Sequence, residues 1–561
     1  MGHSLRPDGR PKKLMMVVPT GCAKVSNRGS FKAVFPHIMV SAAALLIFLA
    51  DVNHSGLWHP DAPSHALNGI FYKDLISDAG FFQPVAYAER YYVQYPSLTM
   101  AMYPPVFYTV EAALYALLGL SWFSAKIGIL LFTLVAFNVF YLLCKMWFPL
   151  WLAVSTTLLW LVQPATLFVQ KNTMLEMPAL AASLLALYCL FLTTKKGRSS
   201  AAFWAPLLAA VAFLVKQNTA FLGIVGVAWL VFLRKGRKMP FKPLLWGLLV
   251  GGVLAGPWIL VNLTVGSQYL SAFAFQTLHP GENLLYYLKN LQDIVSYPIA
   301  ILSLIALAML PVLRRHDGYL FVVVIFGAVL LFVSFMEFTA PRYGVFAVPA
   351  LVVLAVYPVK LLSKVPGPGK GAAIILTILL LFSHAYPVKA WASKDVRGFD
   401  AVAEFIVNDE DCVSVLYDGY FHSNFVFHMR CKDKDRRVFV FRSSKLIFST
   451  KMIPQLEYRE LVTSREAFLD KMDEYAVKYI VQEEKDSMRT AANTRLREWV
   501  QDDMFKLVKR YPMTSVGLPG IGDLLVYEYI DYKAKPLTQV ELDMPMLGRK
   551  LTVHIPALEK K

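Results

Sequence analysis

Two carboxylates and two cations stand out because their residue types are suited to group-transfer chemistry. Asp61 follows the first apolar run, Glu176 opens a later run, and Lys216 and Arg342 each lie at the end of a further run. A carboxylate can take a proton from an acceptor hydroxyl, and fixed cations can stabilise a departing phosphate. If all four lie on one side of a membrane, they suit group transfer from a lipid phosphate better than ion transport.

Each of the four residues also has a simpler interpretation. Asp61 could merely cap a helix that begins near Pro63. Glu176 could be stabilised by the macrodipole of the helix that it opens, although a glutamate entering an apolar helix often marks a site. Lys216 and Arg342 could extend towards lipid headgroups and have no other role. For each residue taken alone, these alternatives stay open.

Histidines near the first carboxylate raise the question of a metal. His54, His59 and His65 share one polar segment with Asp61, and both residue types are ligands of divalent metals. Their spacing matches no strict ligand pattern, and histidines beside headgroups more often donate hydrogen bonds. We therefore predict no metal ligands. No cofactor is certain, and a divalent metal stays an alternative.

These residues must be held in position by other elements of the chain. The composition indicates that those elements are membrane helices. Of the 561 residues, 56% are hydrophobic and 17% are charged, and the mean hydropathy is +0.48. Soluble globular chains are usually about 45–50% apolar and about 25% charged. Apolar runs of about 20 residues, the length that crosses a bilayer core, recur along the first two thirds of the chain. The runs are 34–50, 104–120, 123–146, 148–169, 176–194, 201–215, 218–233, 244–263, 293–313, 318–336, 341–362 and 371–391.

The net charge of +17 has an ordinary cause in such a chain. Membrane proteins collect Lys and Arg in their cytoplasmic loops. The polar C-terminal region shows no basic groove with interleaved aromatic residues, which nucleic-acid binding needs. Nucleic acid is therefore not an expected partner, whereas membrane lipids are.

The distribution of basic residues predicts the topology. The run 104–120 is short, follows Tyr103 and contains Glu111. If this run lies at the interface, most Lys and Arg residues fall in the N-terminal tail and in alternate short connections, as cytoplasmic segments require. About eleven spans then leave the C-terminal region outside the cytoplasm. The four candidate residues all lie on that outer side.

The predicted fold is an all-α polytopic membrane bundle followed by a C-terminal soluble α/β domain. The bundle has about eleven transmembrane helices and juxtamembrane helices in the first outer loop. Residues 1–33 form a cytoplasmic basic tail, 34–392 the transmembrane domain and 393–561 the extracytoplasmic domain.

Within the C-terminal domain, hydrophobic periodicity predicts alternating helices and strands. The predicted helices are 396–407 and 458–476, and the predicted strands are 412–417, 438–441, 479–482 and 524–530. Cys412 and Cys431 are the two cysteines predicted outside, and they either form a disulfide or stay free thiols.

Five short segments carry a resemblance to a known family. They are His59-Pro60-Asp61, Tyr103-Pro104-Pro105-Val106-Phe107-Tyr108, Glu176-Met177-Pro178, Phe213-Leu214-Val215-Lys216 and Pro341-Arg342-Tyr343. In this order and on one predicted side, they resemble the GT-C superfamily of polyprenyl-phosphate-sugar glycosyltransferases. That group includes protein O-mannosyltransferases and the aminoarabinose transferases of lipid A. The resemblance covers roughly residues 35–390, and the segment 397–403 is similar to the start of the appended domain in several bacterial members.

The resemblance implies an inverting glycosyltransferase of the bacterial inner membrane. It would move a hexose or pentose from a polyprenyl-phosphate donor to an acceptor hydroxyl of a protein, lipid or glycan at the extracytoplasmic face. Ala62 stands where the family often has a second acid, so a paired acid is not implied. The implied roles are Asp61 as catalytic base, Glu176 as second catalytic acid, Lys216 and Arg342 as donor phosphate-binding residues, and His59, His65, Tyr103 and Tyr343 as cavity-lining residues.

Two other classes of function fit parts of the sequence. A lipid or glycan transporter or flippase would show internal repeats and acids near mid-membrane. The chain shows no second copy of any motif, and Glu337 lies at the end of an apolar run. A non-catalytic receptor that uses the outer domain would tolerate replacement of both Asp61 and Glu176.

Overall fold

A computed structural model gives the architecture of the chain. It describes residues 27–51, 56–58, 61–99, 102–233, 239–266, 279–336, 339–390, 395–450, 457–485, 490–516, 518, 520–544 and 549–555. Most of the predicted cytoplasmic tail, 1–33, lies outside the described residues.

Helices alone build the part of the chain before residue 391, as far as the structure describes it. Short 3-10 turns interrupt them at Gly80–Phe82, Gln217–Ala220 and Pro341–Ala347. The helices are α1 (Asn27–Asp51), α2 (Asp61–Ser77), α3 (Pro84–Gln94), α4 (Val106–Leu118), α5 (Trp122–Lys145), α6 (Leu150–Leu161), α7 (Pro164–Lys171), α8 (Glu176–Lys196), α9 (Ser199–Phe213), α10 (Phe221–Leu233), α11 (Phe241–Val261), α12 (Pro280–Lys289), α13 (Leu291–Ile294), α14 (Tyr297–Ala308), α15 (Leu310–Leu313), α16 (Asp317–Ser334), α17 (Val348–Leu362) and α18 (Gly369–Ala390).

Six of the described helices are long and apolar enough to cross a membrane. A seventh span results if the bent pair α6 and α7 crosses as one unit, and five further apolar helices are shorter. Every predicted apolar run corresponds to one of these helices or to a pair of them. The all-α polytopic bundle is therefore confirmed, whereas the number of about eleven spans stays a prediction.

The surface of the bundle fits contact with lipid. On α11, the side chains of Leu245, Trp246, Val253 and Leu260 are each more than half exposed. Such a continuous apolar surface is unfavourable in water. By contrast, most of α8 is buried inside the bundle, so α8 belongs to the core that other helices surround.

The run 148–169 differs from the prediction of one straight span. The chain bends by 69° between α6 and α7. Pro164 opens α7, and a proline inside a continuous helix would lack an N–H and clash with the preceding turn. Gln163 stabilises the bend, because its Nε2 donates to the Leu159 carbonyl (2.7 Å) and its Oε1 accepts from the Ser296 amide (3.1 Å).

The C-terminal domain contains a mixed five-stranded sheet of order β3-β2-β6-β9-β7. The strands β3, β2 and β6 run parallel, and β9 pairs antiparallel with β6 and β7. The predicted α/β class is confirmed. The elements are β1 (Asp395–Arg397), α19 (Phe399–Val407), β2 (Ser414–Asp418), α20 (His422–Lys432), β3 (Phe439–Arg442), α21 (Ser443–Leu446), β4 (Phe448–Thr450), β5 (Tyr458–Glu460), α22 (Arg465–Glu474), β6 (Val477–Glu483), α23 (Ala491–Trp499), β7 (Phe505–Pro512), β8 (Thr514–Val516), β9 (Asp523–Tyr529), β10 (Gln539–Met544) and β11 (Arg549–His554).

Two predicted helices of this domain begin later than the sequence pattern suggests. The first starts at Phe399, because residues 395–397 pair with β8 as a strand and Gly398 turns the chain with a φ of +117°. The second starts at Arg465, because Ser464 caps it by accepting from the Ala467 amide at 3.2 Å. Residues 458–460, predicted as helix, instead pair with β4.

Cys412 and Cys431 are both free thiols in the structure. Cys412 Sγ lies 3.6 Å from the Ser414 carbonyl oxygen. Of the two alternatives left open by the sequence, the structure has the unbridged one.

The helices α2 and α3, between α1 and α4, pack against the C-terminal domain. Arg430 Nε donates to Asp74 Oδ2 at 3.0 Å, and both side chains are buried. Tyr91 OH donates to the same carboxylate oxygen at 3.0 Å. A second ion pair, between Arg436 and Asp78, is half-exposed. These contacts fix α2 against the C-terminal domain.

On its other side, α2 packs closely against α4. A Cβ atom on Gly69 would lie 2.6 Å from Glu111 Oε2, so only glycine allows this approach. Tyr115 OH donates to the Ala66 carbonyl at 3.2 Å. The helix α2 is thus held between the bundle and the C-terminal domain.

We expect loss of the buried ion pair to destabilise the protein strongly. Asp74→Ala leaves the Arg430 guanidinium buried without its carboxylate, and breaking a buried pair costs about 3–5 kcal/mol. Asp78→Ala is the matched control, because it removes the partner of Arg436 in a half-exposed pair, for which about 0–1 kcal/mol is typical. Thermal unfolding of the purified protein in detergent measures both. Equal decreases in Tm would contradict the role assigned to Asp74.

Candidate active site

The four candidate residues each lie at the beginning of a helical element. Asp61 is the first residue of α2, and Glu176 is the first residue of α8. Lys216 directly precedes the 3-10 turn Gln217–Ala220. Arg342 lies in the 3-10 turn that leads into α17. Side chains at such positions can meet across a bundle although the residues are far apart in sequence.

The structure places the four side chains in one continuous set of ion pairs. Arg342 Nη1 lies 2.8 Å from Asp61 Oδ2. Lys216 Nζ lies 2.7 Å from Glu176 Oε1. Arg342 Nε lies 3.6 Å from the same Glu176 oxygen. Arg342 therefore bridges the two carboxylates, and the two cations share Glu176.

Exposure differs sharply within this set. The side chain of Glu176 is 0% exposed and that of Lys216 is 5% exposed, whereas Arg342 is 14% and Asp61 is 33% exposed. A carboxylate at the solvent boundary can meet an acceptor molecule, but a fully buried one cannot. The geometry thus suits Asp61 for proton transfer and Glu176 for holding the two cations.

The turn that carries Lys216 is tied to the segment before α4. The amide of Val106 donates to the Leu214 carbonyl at 3.2 Å. Gln217 Nε2 donates to the Met102 carbonyl at 3.1 Å. These bonds hold Tyr103, which lies between Met102 and Val106, at the edge of the site.

Aromatic side chains surround the ion pairs. The ring of Tyr343 lies 5.1 Å from Lys216 Nζ and 5.3 Å from the guanidinium carbon of Arg342. Cations over an aromatic face are stabilised by the ring quadrupole. Tyr343 also borders an apolar pocket with Phe221, Phe332, Met336 and other side chains. The cations therefore lie beside an apolar space.

His65 lies one helical turn after Asp61 and is buried. Its Nδ1 is 2.7 Å from Tyr108 OH, and its ring centroid is 4.9 Å from that of Tyr103. In the sequence, Tyr108 stands out only as the last residue of the segment 103–108 that resembles the family. The structure adds it to the site through this hydrogen bond.

Burial lowers the pKa of His65 from 6.5 to about 4. The charges of Lys216 and Arg342 act in the same direction, whereas the carboxylates of Asp61 and Glu176 oppose the shift. His65 is therefore neutral at neutral pH, and it can offer one N–H and one lone pair but no positive charge.

The structure describes three of the four predicted cavity-lining residues. His65, Tyr103 and Tyr343 lie beside the ion pairs, whereas His59 lies outside the described residues. Sequence reasoning missed Tyr420, which follows β2 in the C-terminal domain. Burial raises the pKa of Tyr420, and the negative charge of Asp61 acts in the same direction. No local pattern could have linked a tyrosine so distant in sequence to Asp61.

The alternative of a metal site gains no support from the described residues. They contain no group of three or more His, Cys, Asp or Glu side chains arranged to hold a metal. Asp61 is paired with Arg342, and His65 Nδ1 faces Tyr108. His54 lies outside the described part of the chain.

Comparisons with known proteins bear on this geometry. Residues 102–260 match the family described as dolichyl-phosphate-mannose-protein mannosyltransferase. No curated protein sequence gives a significant match. The structure of ArnT from Cupriavidus metallidurans bound to undecaprenyl phosphate aligns with a TM-score of 0.58 at 15% identity, over 90% of this chain and 100% of ArnT.

Two further solved structures are similar. Apo ArnT from Cupriavidus metallidurans aligns with a TM-score of 0.59 at 16% identity, over 90% of this chain and 100% of ArnT. The Archaeoglobus fulgidus oligosaccharyltransferase in complex with Zn and sulfate aligns with a TM-score of 0.53 at 11% identity, over 80% of this chain and 68% of that protein.

This chain has a GT-C glycosyltransferase fold. The resemblance found in the sequence is confirmed. The GT-C similarity also extends beyond residues 35–390, because the ArnT alignment covers nine tenths of the chain.

We expect the buried His65 to make this protein sensitive to acid. Between about pH 6.5 and pH 4 the unfolded state binds more protons at His65 than the folded state does. The stability contributed by neutral His65 is therefore complete above about pH 6.5 and is lost as the pH falls towards 4, on the order of 1–2 kcal/mol at pH 5.

The measurement is the decrease in Tm between pH 7 and pH 5. His65→Gln should show a smaller decrease than the wild type. His554→Gln, which changes an exposed histidine of β11, should keep the wild-type decrease. A His65→Gln variant with an unchanged pH dependence would show that His65 is not held neutral by burial.

Proposed function

We propose that this chain transfers a sugar from a polyprenyl-phosphate donor to an acceptor hydroxyl at the extracytoplasmic face of the membrane, with inversion. The observation that carries the proposal is a carboxylate at the solvent boundary, Asp61, held beside two cations at the edge of an apolar bundle. ArnT bound to undecaprenyl phosphate and the Archaeoglobus fulgidus enzyme AglB in complex with a peptide and a dolichol-phosphate support this assignment through the shared fold.

The donor phosphate binds at Lys216 and Arg342. Arginine can bind a phosphate through two parallel hydrogen bonds. Arg342 Nε and Nη1 are close to carboxylates, but among the described residues no acceptor has hydrogen-bond geometry with them. Apolar side chains, among them Phe221, Phe332 and Met336, pack beside Tyr343, so the cations adjoin apolar surroundings that suit a polyprenyl chain.

Asp61 acts as the general base in a single displacement. Its carboxylate takes the proton of the acceptor hydroxyl while the acceptor oxygen attacks the anomeric carbon. The bond from this carbon to the phosphate oxygen breaks on the opposite face, and the configuration inverts. The polyprenyl phosphate leaves with its negative charge stabilised by Lys216 and Arg342.

Glu176 keeps the two cations in place. It is fully buried and contacts both Lys216 and Arg342, so we assign it as a positioning residue and not as a second group that touches the acceptor. This role differs from the one that the family resemblance implies.

A divalent metal does not fit the described donor set. The carboxylates of Asp61 and Glu176 are each paired with a cation of the protein, and a metal in this position would be repelled by Lys216 and Arg342. No step of the mechanism therefore passes through a metal.

The proposal includes the topology predicted from the sequence. The N-terminal tail, residues 1–33, is cytoplasmic, residues 34–392 form the transmembrane domain, and residues 393–561 lie outside the cytoplasm. The membrane is the bacterial inner membrane. The acceptor is a protein, lipid or glycan with a free hydroxyl.

We expect Asp61→Asn to lose most of the transfer activity. A general base contributes about 10²–10⁴-fold to the rate, and the amide cannot take the proton. The measurement is transfer of label from a panel of radiolabelled polyprenyl-phosphate sugars to endogenous acceptors in membranes. Asp78→Asn, an acid of the same loop that is paired with Arg436, should retain the wild-type rate. Full activity of Asp61→Asn would remove Asp61 from the mechanism, and transfer from no donor would favour the transporter or receptor interpretation.

We expect Arg342→Gln and Lys216→Gln to weaken donor binding and slow the reaction. Each variant removes a charge-assisted hydrogen bond to the phosphate, worth about 1.5–3 kcal/mol, so kcat/KM for the donor should fall by about 10–100-fold. Lys289→Gln is the control, because Lys289 is an exposed cation at the end of α12. An effect on the acceptor KM alone would contradict the assignment of the two cations to the donor phosphate.

A further inference from the structure

The carboxyl ends of two parallel strands in the C-terminal domain face the loop that carries Asp61. Asn424 Nδ2 donates to the Leu57 carbonyl at 2.9 Å, and Ser64 Oγ donates to Ser423 Oγ at 3.0 Å. Leu57 precedes Asp61 and Ser64 follows it, so α20 begins directly beside the proposed base. In α/β sheets, ligands bind outside the carboxyl ends of the strands.

The acids at this edge of the sheet are engaged in structural bonds. Glu483 Oε1 accepts from Tyr417 OH and from the Phe421 amide, both at 2.6 Å. Asp418 accepts from Gln482 Nε2 at 3.3 Å and from Asn493 Nδ2 at 2.5 Å. These carboxylates shape the turn between β2 and α20.

Three basic residues also lie at this edge of the sheet. His422 opens α20, Arg442 ends β3, and Lys445 lies one turn further along the chain in α21. Arg442 pairs with Tyr417 in the parallel register of β2 and β3. Its Nη1 donates to the Pro96 carbonyl at 2.9 Å, but its Nε is buried with no hydrogen-bond partner among the described residues.

The acidic groups near the three basic residues do not compensate for the cost of removing their positive charges from water. Burial lowers the pKa of Lys445 to about 7, and the positive charge of Arg442 acts in the same direction, while Asp543 of β10 opposes it. Burial also lowers the pKa of Arg442 to about 10, opposed only weakly by Tyr92 of α3. The pKa of His422 is lowered by burial and by both cations. All three side chains are half-buried, and positive charges taken partly out of water are costly unless an anion pairs with them.

We propose that His422, Arg442 and Lys445 bind a negatively charged group of the acceptor, a phosphate or a carboxylate, at the edge of the sheet that faces the segment carrying Asp61. An anion there accepts the unpaired Nε–H of Arg442 and restores the charge of Lys445, through charge-assisted hydrogen bonds. The assignment of this anion to the acceptor rests on the proposed function, whereas the site itself rests on the geometry of the C-terminal domain. The acceptor is therefore an anionic molecule whose hydroxyl is presented to Asp61.

The first test uses inorganic pyrophosphate as the probe and does not depend on transfer. The full chain, in nanodiscs of neutral lipid, is treated with an amine-acylating reagent, and the modification rate of each lysine is followed by mass spectrometry. At twice its Kd, pyrophosphate should slow modification of Lys445 about threefold, because the unoccupied fraction of the site is the reciprocal of one plus the ratio of ligand concentration to Kd. Lys506, an exposed lysine of β7, is the internal control.

Two variants separate this site from the donor site. Arg442→Gln should abolish the protection of Lys445. Arg342→Gln should retain it, because Arg342 belongs to the donor phosphate site. Absence of protection in the wild type, equal protection at Lys506, or loss of protection in Arg342→Gln would each overturn the proposal.

The second test connects the site to the acceptor. At saturating donor, pyrophosphate should inhibit transfer to membrane acceptors, and Arg442→Gln/Lys445→Gln should require about tenfold more of it, equivalent to about 1.4 kcal/mol. Lys506→Gln/Lys509→Gln, which removes two charges from the opposite edge strand, should keep the wild-type value. An unchanged inhibition constant in the first double variant would refute the inference. If the wild type transfers no sugar, the proposed function fails, and the protection of Lys445 still decides whether the anion site exists.

Discussion

The guanidinium group of Arg342 connects the parts of the molecule on which the candidate site depends. It bridges Asp61, at the start of α2, and Glu176, at the start of a core helix. Two carboxylates and two cations placed so close together in a largely buried site are stable only because each charge has an opposite neighbour. Glu176 is the most buried member of this set, and it holds both cations in place. Asp61 lies nearest the surface of the four side chains, and it is accordingly the most exposed.

The positions of the charges depend in turn on how α2 is packed. On one side, the close approach of Gly69 to Glu111 sets the distance between α2 and α4. On the other side, the buried pair of Asp74 and Arg430 fixes the C-terminal domain. The domain is therefore more than an appendage of the bundle, because α20 contacts residues on both sides of Asp61 in the sequence.

Much of this architecture could be predicted from the sequence, because long apolar runs and the basic residues between them are typical of membrane helices and their connections. The apolar runs, the polar C-terminal domain and the family resemblance all follow from such local signals. The bend at Pro164 was missed, since the surrounding run is uniformly apolar. The strand at 395–397 was also missed, because its partner, β8, is distant in sequence. Tyr420 and the basic residues at the end of β3 depend on the packing between domains, which no periodicity or spacing contains.

The hydrogen bonds from Asn424 to Leu57 and between Ser423 and Ser64 have a consequence for biosynthesis. Residues near position 60 leave the ribosome early. Ser423 and Asn424, which bind them, are synthesised after the helices of the bundle. The loop around Asp61 therefore cannot reach its final arrangement until the last domain has folded. A chain that is truncated, or whose C-terminal domain misfolds, would keep its membrane helices and yet have an unassembled centre. The candidate site can therefore assemble only after the polypeptide is complete.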